Sequence, residues 1–318
     1  MPTDPLEKGA LAILTGAHPD TVAAELALPT PELTAAARTY QAAGRAALAY
    51  AATSSRWQHI TVVIDGRDTA EQIGISHLAP ALERIRANGA LSDWWHLRKQ
   101  GHWRIRYLPA ADRSQEVTAE LADTLDRLRD DDLIVRWNTG IYEPETEAFG
   151  GPAAMEIAHT LFSTDSRCLL RYLAAPAALG RRELMLLLPT VLARAADLDW
   201  YEQGQLWADV RQGRTTTVPA NRIATLAPAA RTLLRTDAGS GISRAHGFAE
   251  LLAAYTHAGV SLRHLAARGE LHRGLRDVCA RHIVFAANRW GVPHEDQAQL
   301  AATARYVILG EQENPTDR

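Results

Sequence analysis

The pattern of apolar and polar positions divides the chain into three stretches. Residues 1–50 carry Ala/Leu-rich helical patterns. "HPDTVAAELAL" opens on an Asp20–Thr21 cap signal, and "TPELTAAARTYQAAGRAAL" opens on Thr30 ahead of Pro31. Together they predict a small helix-turn-helix-like unit that ends at Ser54–Ser55. "WQHITVVID" (57–65) has the β-branched density of a strand. "GISHLAPALERIRANG" and the segment up to Trp95 read as helix, with Gly89 ending the first part. "HWRIRYLP" reads as a strand. Alternation puts Arg104 and Arg106 on one face, with Trp103, Ile105 and Tyr107 on the other, toward a core. "SQEVTAELADTLDRLRD" predicts an amphipathic helix capped by Ser114, and "DLIVRWNTGIYEPE" (132–145) a strand with a turn-rich exit. From Pro152 the pattern is helical, with breaks near Gly180, Gly213–Thr217, Gly239–Gly241 and Gly291–Pro293. This order predicts an α+β fold with a mixed or antiparallel sheet, flanking helices and a helix-rich second half. The division falls at 1–55, a helical segment, and 56–318, a catalytic domain.

Composition narrows the function classes. At 318 residues, 47% hydrophobic and 22% charged, the chain has the balance of a soluble globular protein. Net charge is −3, and residues 1–50 hold little positive charge, so a nucleic-acid partner is not expected. Only Lys8 and Lys99 are lysines among 34 basic residues, so a single arginine is weak evidence of function. Cys168 and Cys279 are far apart and no CxxC occurs, which argues against a disulfide framework or a cysteine zinc site. The N-terminus lacks the basic and apolar regions of a signal peptide. "ELMLLLPTVLA" is too short for a membrane span and contains Pro189. The expected location is cytoplasmic, with no membrane partner.

No GxGxxG, Walker A or HExxH motif is present. "GSGISRAHGF" (239–248) lacks the second glycine of a nucleophile elbow and reads as a loop before a helix. His257, His264 and His272 fall at helical spacing without a carboxylate at ligand distance, so no metal site is expected. Two stretches stand out. "TGIYEPETEAFGG" (139–151) sets Tyr142 and three glutamates before paired glycines. "RHIVFAANRWG" (281–291) gathers His282, Asn288, Arg289 and Trp290. Each alone has an ordinary account, the first as an acidic surface turn and the second as a helix end with basic residues near its negative pole. The pair Arg104 and Arg106 alone would read as a surface pair.

Taken in order, "WWHLRKQGHWRIRYLPA", "YEPETEAFGGPAAMEIAHTLFSTDS" and "HIVFAANRWG" resemble the small, C-terminal half of split lantibiotic dehydratases, the thiopeptide-type bacteriocin biosynthesis domain. The resemblance runs from about residue 56 to residue 310, and the first 50 residues resemble the helical segment often attached to stand-alone members. It implies one of two activities. One branch eliminates glutamate from glutamylated Ser/Thr. The other performs a formal [4+2] cycloaddition between two dehydroalanines and builds a thiopeptide pyridine, with loss of water and release of the leader peptide as its amide. In the eliminating branch the equivalent of Arg104-Ile-Arg106 helps hold glutamyl carboxylates. That branch also carries an arginine three residues after the glutamate, where this sequence has Ala148 after Glu145. A second histidine before the Asn–Arg is replaced by Ala286–Ala287, although His282 remains. Loss of a bidentate carboxylate clamp points to the pyridine-forming branch.

On that resemblance the partner is a leader-bearing precursor peptide with a dehydrated, azole-containing core, and no cofactor is implied. Enclosure removes much of the entropic barrier, on the order of 7–11 kcal/mol at best. Proton movement helps one amide reach its imidic tautomer. Tyr142, Glu145 and His282 are the expected proton movers. Arg104 and Arg106 orient carbonyls or polarise the leaving group, beside Asn288 and Arg289. Trp95, Trp103 and Trp290 offer faces for thiazole stacking, although strand alternation assigns Trp103 to the core. The alternatives are the glutamate-eliminating subunit of a split dehydratase and a non-catalytic peptide-binding module.

Overall fold

The computed structural model describes residues 4–54, 56–99, 102–175, 179–236 and 248–310. Contacts gather into two units, Met1–Ser55 and Arg56–Arg318. In the first, α1 (Pro5–Leu14), α2 (Pro19–Leu26) and α3 (Thr30–Ser54) enclose a small core of Val22, Ala23 and Leu33. Helix α2 begins two residues earlier than expected, at Pro19 with His18 at its cap position. Proline is preorganised for a first helical position, so the Asp20 side chain is left for another use. It accepts the Thr30 hydroxyl at 2.9 Å and ties the starts of α2 and α3.

The second unit opens on an antiparallel sheet. Strands β1 (Gln58–Val63), β2 (Leu91–Lys99), β3 (His102–Pro109) and β4 (Arg136–Gly140) lie in the order β2-β3-β1-β4. On one face Ile60, Val62, Trp94, Trp103, Ile105 and Tyr107 form a core. It is closed by α4 (Arg67–Ile73), a π turn (Gly74–Leu78), α5 (Ala79–Ala87) and α6 (Ser114–Asp130). Pairing of His59 with Arg106 and of Thr61 with Arg104 puts these four residues on the opposite face, as strand alternation requires.

Two local expectations are corrected. The stretch up to Trp95 is not helix: residues 91–99 are the edge strand β2. Trp94 and Trp95 are both buried on opposite faces, so the polar alternation that marks a half-exposed strand is missing. Ser114 is the first residue of α6 rather than its cap, and Arg113 occupies the cap position without a capping side-chain bond. The Ser114 hydroxyl instead meets the Gln58 amide.

The second half is helical: α7 (Pro152–Leu173), α8 (Arg181–Ala195), α9 (Trp200–Gln212), α10 (Ala220–Arg235), α11 (Ala249–Ala267), α12 (Leu275–Arg289) and α13 (His294–Leu309). Their apolar stripes enclose Leu184, Leu188, Leu192, Tyr255, Leu262 and Trp290. The expected breaks at Gly180, Gly213 and Gly291–Pro293 separate helices. The break at 239–241 and most of "GSGISRAHGF" lie outside the described residues. Both cysteines are buried and free. No helix among the described residues is long and apolar enough to cross a membrane.

Candidate functional site

A cleft of about 660 Å³ lies against the open face of the sheet. Strands β2 and β3 contribute Trp95, Leu97, Arg104 and Arg106. The exit of β4 contributes Tyr142, Glu143 and Glu145, and α12 contributes Arg281, Phe285 and Asn288. The paired glycines make the turn that brings the acidic exit here. Gly150 and Gly151 both have positive φ, 91° and 101°, in a region L-residues avoid. A Cβ on Gly150 would lie 2.9 Å from the Val278 side chain, and one on Gly151 2.9 Å from the His272 ring.

The structure brings Arg104, Arg106, Trp95, Tyr142, Glu145 and Asn288 to one cleft. Arg106 is the centre of this group. Its guanidinium lies 4.7 Å from the centroid of Trp95 and 5.6 Å from that of Tyr142. Its Nη1 donates to the Arg104 carbonyl at 3.0 Å. Burial lowers its pKa to about 10, which leaves it cationic at neutral pH. Burial, followed by Arg106, lowers the pKa of His59 to about 4, so that imidazole stays neutral. Trp95 is 1% exposed and covered by Arg106, so it offers no open face for a thiazole.

Three expected site residues are not brought to the cleft wall. His282 sits behind it, 5.0 Å from the Phe149 ring centroid and 5.9 Å from that of Phe162. Neither ring nitrogen has a hydrogen-bond partner, and burial, then Arg289, lowers its pKa to about 3. Arg289 and Trp290 are fully buried around Asp165 of α7. The Arg289 guanidinium pairs with this carboxylate, and the Trp290 indole N–H donates to it at 2.8 Å. The neighbouring Ser166 hydroxyl accepts the backbone N–H of His96 at 3.1 Å. The "DS" and "NRW" signatures therefore join α7 to α12 and to the edge strand. Trp103 packs in the sheet core, stacked on His96 at 4.5 Å.

Sequence reasoning missed several residues at the cleft. The Tyr142 hydroxyl meets His159 Nε2 at 2.8 Å, and His159 comes from the buried side of α7. Its signal was a histidine at an apolar position of an amphipathic helix. Arg281 forms an ion pair with Glu145. Seven basic residues line the cleft: Arg67, Arg98, Lys99, Arg104, Arg106, Arg214 and Arg281. They face two carboxylates, Glu143 and Glu145. At one end Glu71 receives both Arg98 and Arg181. Burial raises its pKa, but the hydrogen bonds from the two arginines prevail and hold it at about 2. Among the described residues there is no cluster of three or more His, Cys, Asp or Glu arranged for a metal ion.

Residues 57–307 match the family described as "Lantibiotic biosynthesis dehydratase C-term". Two solved structures share the fold. The tRNA dependent lantibiotic dehydratase MibB from Microbispora sp. 107891 matches at a TM-score of 0.61 and 17% identity, over 81% of this chain. The chain spans only 28% of the MibB chain. The structure of TsrL matches at a TM-score of 0.55 and 13% identity, over 80% of this chain and 95% of that one. No curated protein matches.

Proposed function

We propose, from the premise that this chain belongs to the lantibiotic dehydratase C-terminal family, that it is a thiopeptide pyridine synthase. It joins two dehydroalanines of a leader-bearing, azole-containing peptide in a formal aza-[4+2] cycloaddition, then loses water and the leader amide. The observation that carries this reading is the pairing of Arg281 with Glu145, beside a turn that has Ala148 in place of the expected arginine. The Arg281 guanidinium, beside the acidic turn, is committed to the protein's own carboxylate. It is not free to clamp a glutamyl group.

In this mechanism the cleft holds the two alkenes together and removes the entropic part of the barrier. Arg106 and Arg104 face the amide oxygen that gains negative charge in the imidic tautomer and stabilise it as it forms. Tyr142 and Glu145 move protons at the cleft wall. His282, enclosed by Phe149 and Phe162, packs behind the wall and does not touch substrate. Asn288 presents a side-chain amide whose Oδ1 already accepts from Gln297 at 3.2 Å.

One observation favours the second reading, glutamate elimination. Among the described residues neither Arg104 nor Arg106 is paired with a carboxylate, so both are available to an anion. The deciding experiment offers the purified protein two precursors. Release of a leader amide with a pyridine-centred macrocycle from the dehydrated, azole-containing peptide is the expected result. Loss of glutamate from a glutamylated precursor, with no macrocycle from the other, overturns the proposal.

A further inference from the structure

Behind Tyr142 stands a second pair of groups. His159 Nε2 lies 2.8 Å from the Tyr142 hydroxyl, and His159 Nδ1 lies 3.7 Å from Glu156 Oε1, one turn earlier on α7. The His159 ring is buried, 4.8 Å from the Trp57 ring centroid. Two atoms of this group are buried without a hydrogen-bond partner: His159 Nδ1 and Glu156 Oε1. Buried polar atoms that lack partners are costly. These two satisfy each other after a shift of well under one ångström, and only if Nδ1 carries the proton. In the neutral imidazole that choice leaves Nε2 with a lone pair, so the bond to Tyr142 runs from the phenol to the imidazole.

We propose that Glu156, His159 and Tyr142 form a proton relay in which His159, held in the Nδ1–H tautomer by Glu156, makes the Tyr142 oxygen the base of the cleft. The inference rests on the pyridine-synthase reading for the identity of the substrate. Tyr142 lines the cleft, and in the relay its oxygen gives its own hydrogen to His159 as it accepts one from the substrate. When it takes the proton of the substrate amide nitrogen, the amide N–H bond breaks and a new phenol O–H bond forms. The original phenol proton passes to His159 Nε2, which becomes an imidazolium facing the Glu156 carboxylate. The amide oxygen, now carrying the negative charge, faces Arg106. Return of one proton along the same path to that oxygen restores the relay and completes the nitrogen-to-oxygen tautomer shift. No other reactant is consumed. Tyr142 is the catalytic residue here; His159 and Glu156 are positioning residues.

The test compares Tyr142→Phe, His159→Gln and the double variant with the wild-type full-length chain. The two single changes are expected to lower kcat by similar factors, ~10²-fold or more, with KM altered by less than about threefold. The double variant is expected to be no slower than Tyr142→Phe, because residues that act as a unit are not additive. Full kcat in His159→Gln, or a double variant slower by the product of the single effects, overturns the relay. Turnover is scored on both the dehydrated and the glutamylated precursor. If the wild type only releases glutamate, the cycloaddition reading fails and the same comparison still decides the relay. A measurement independent of turnover and of variant folding at His159 is the imidazole ¹⁵N spectrum. A protonated Nδ1 and an acceptor Nε2 whose shift changes in Tyr142→Phe are expected. A protonated Nε2, or shifts indifferent to Tyr142→Phe, overturns the proposal.

Discussion

Asp165 and Arg289 form an ion pair shut off from solvent, 124 residues apart in sequence, and the same carboxylate holds the Trp290 indole. Burial pushes the Asp165 carboxyl up, and the Arg289 charge and the hydrogen bonds its carboxylate receives pull against that. Such a pair stabilises little relative to apolar packing, yet loss of one partner leaves a naked buried charge. Asp165→Ala is therefore expected to cost roughly 3–5 kcal/mol in urea unfolding. Replacing Asp165 and Arg289 together by leucine and methionine should recover much of the loss. A double variant as unstable as the single one would show that the charge is not the cause.

The same pair shows what was legible in the sequence. "DS" and "NRW" were visible as signatures, but a one-dimensional pattern shows which residues recur together and not what they touch. Arg289, the last residue of α12, and Trp290, which caps it, turn inward to meet α7, so they fell to the core. Asn288, one position earlier, reaches the cleft. The face of β3 was legible because strand period alone separates Arg104 and Arg106 from Trp103, Ile105 and Tyr107. Strand β2 was not legible: both its faces are buried, and its Trp-Trp-His centre lacks β-branched residues. The Glu145–Arg281 pair and the Tyr142–His159 contact bridge 136 and 17 residues, and no local rule registers either.

Acid should destabilise the protein in two windows. His282 has its pKa lowered from 6.5 to about 3, so the native state holds it neutral while the unfolded chain protonates it. Its contribution is complete above pH 6.5 and is lost as pH falls toward 3. Glu71, lowered from 4.5 to about 2, contributes above pH 4.5 and loses that contribution as pH falls toward 2. Both signs point the same way, with the histidine acting first. At about pH 5 the His282 contribution lost is on the order of 2 kcal/mol. His282→Phe should remove this part, giving a smaller fall in urea-unfolding stability between about pH 7 and pH 5. An unchanged fall would mean that the unfolded-state protonation of His282 is not involved.

The paired glycines set the acidic exit against the cleft. Gly150 has φ 91°, and an added Cβ there meets Val278 and Leu271 at 2.9 and 3.1 Å. Its carbonyl also accepts the His272 backbone N–H at 3.0 Å. Gly150→Ala is thus strained by conformation and by contact, at a cost of about 1–3 kcal/mol. Gly269 also has positive φ, at 70°, but nothing lies within 4 Å of its Cβ position. Gly269→Ala should cost less, about 1 kcal/mol. Thermal unfolding of the two variants side by side separates backbone strain from crowding. Equal losses would remove the crowding term.

The two arginines of β3 should part company under mutation. Arg106 is 7% exposed and lies over Trp95 and Tyr142, whereas Arg104 is only half-buried. Arg106→Ala removes a cation facing the developing charge and also uncovers the Trp95 ring. It should lower kcat by ~10²-fold, in line with the loss of one preorganised electrostatic donor. Arg106→Lys should rescue little of that, because an ammonium reproduces neither the flat stack nor the fork. Arg104→Ala, at the wetter position, should raise KM by several-fold with a smaller change in kcat. Steady-state kinetics on the dehydrated precursor would read both. If the two alanine variants keep full kcat and KM, the pair serves the fold alone.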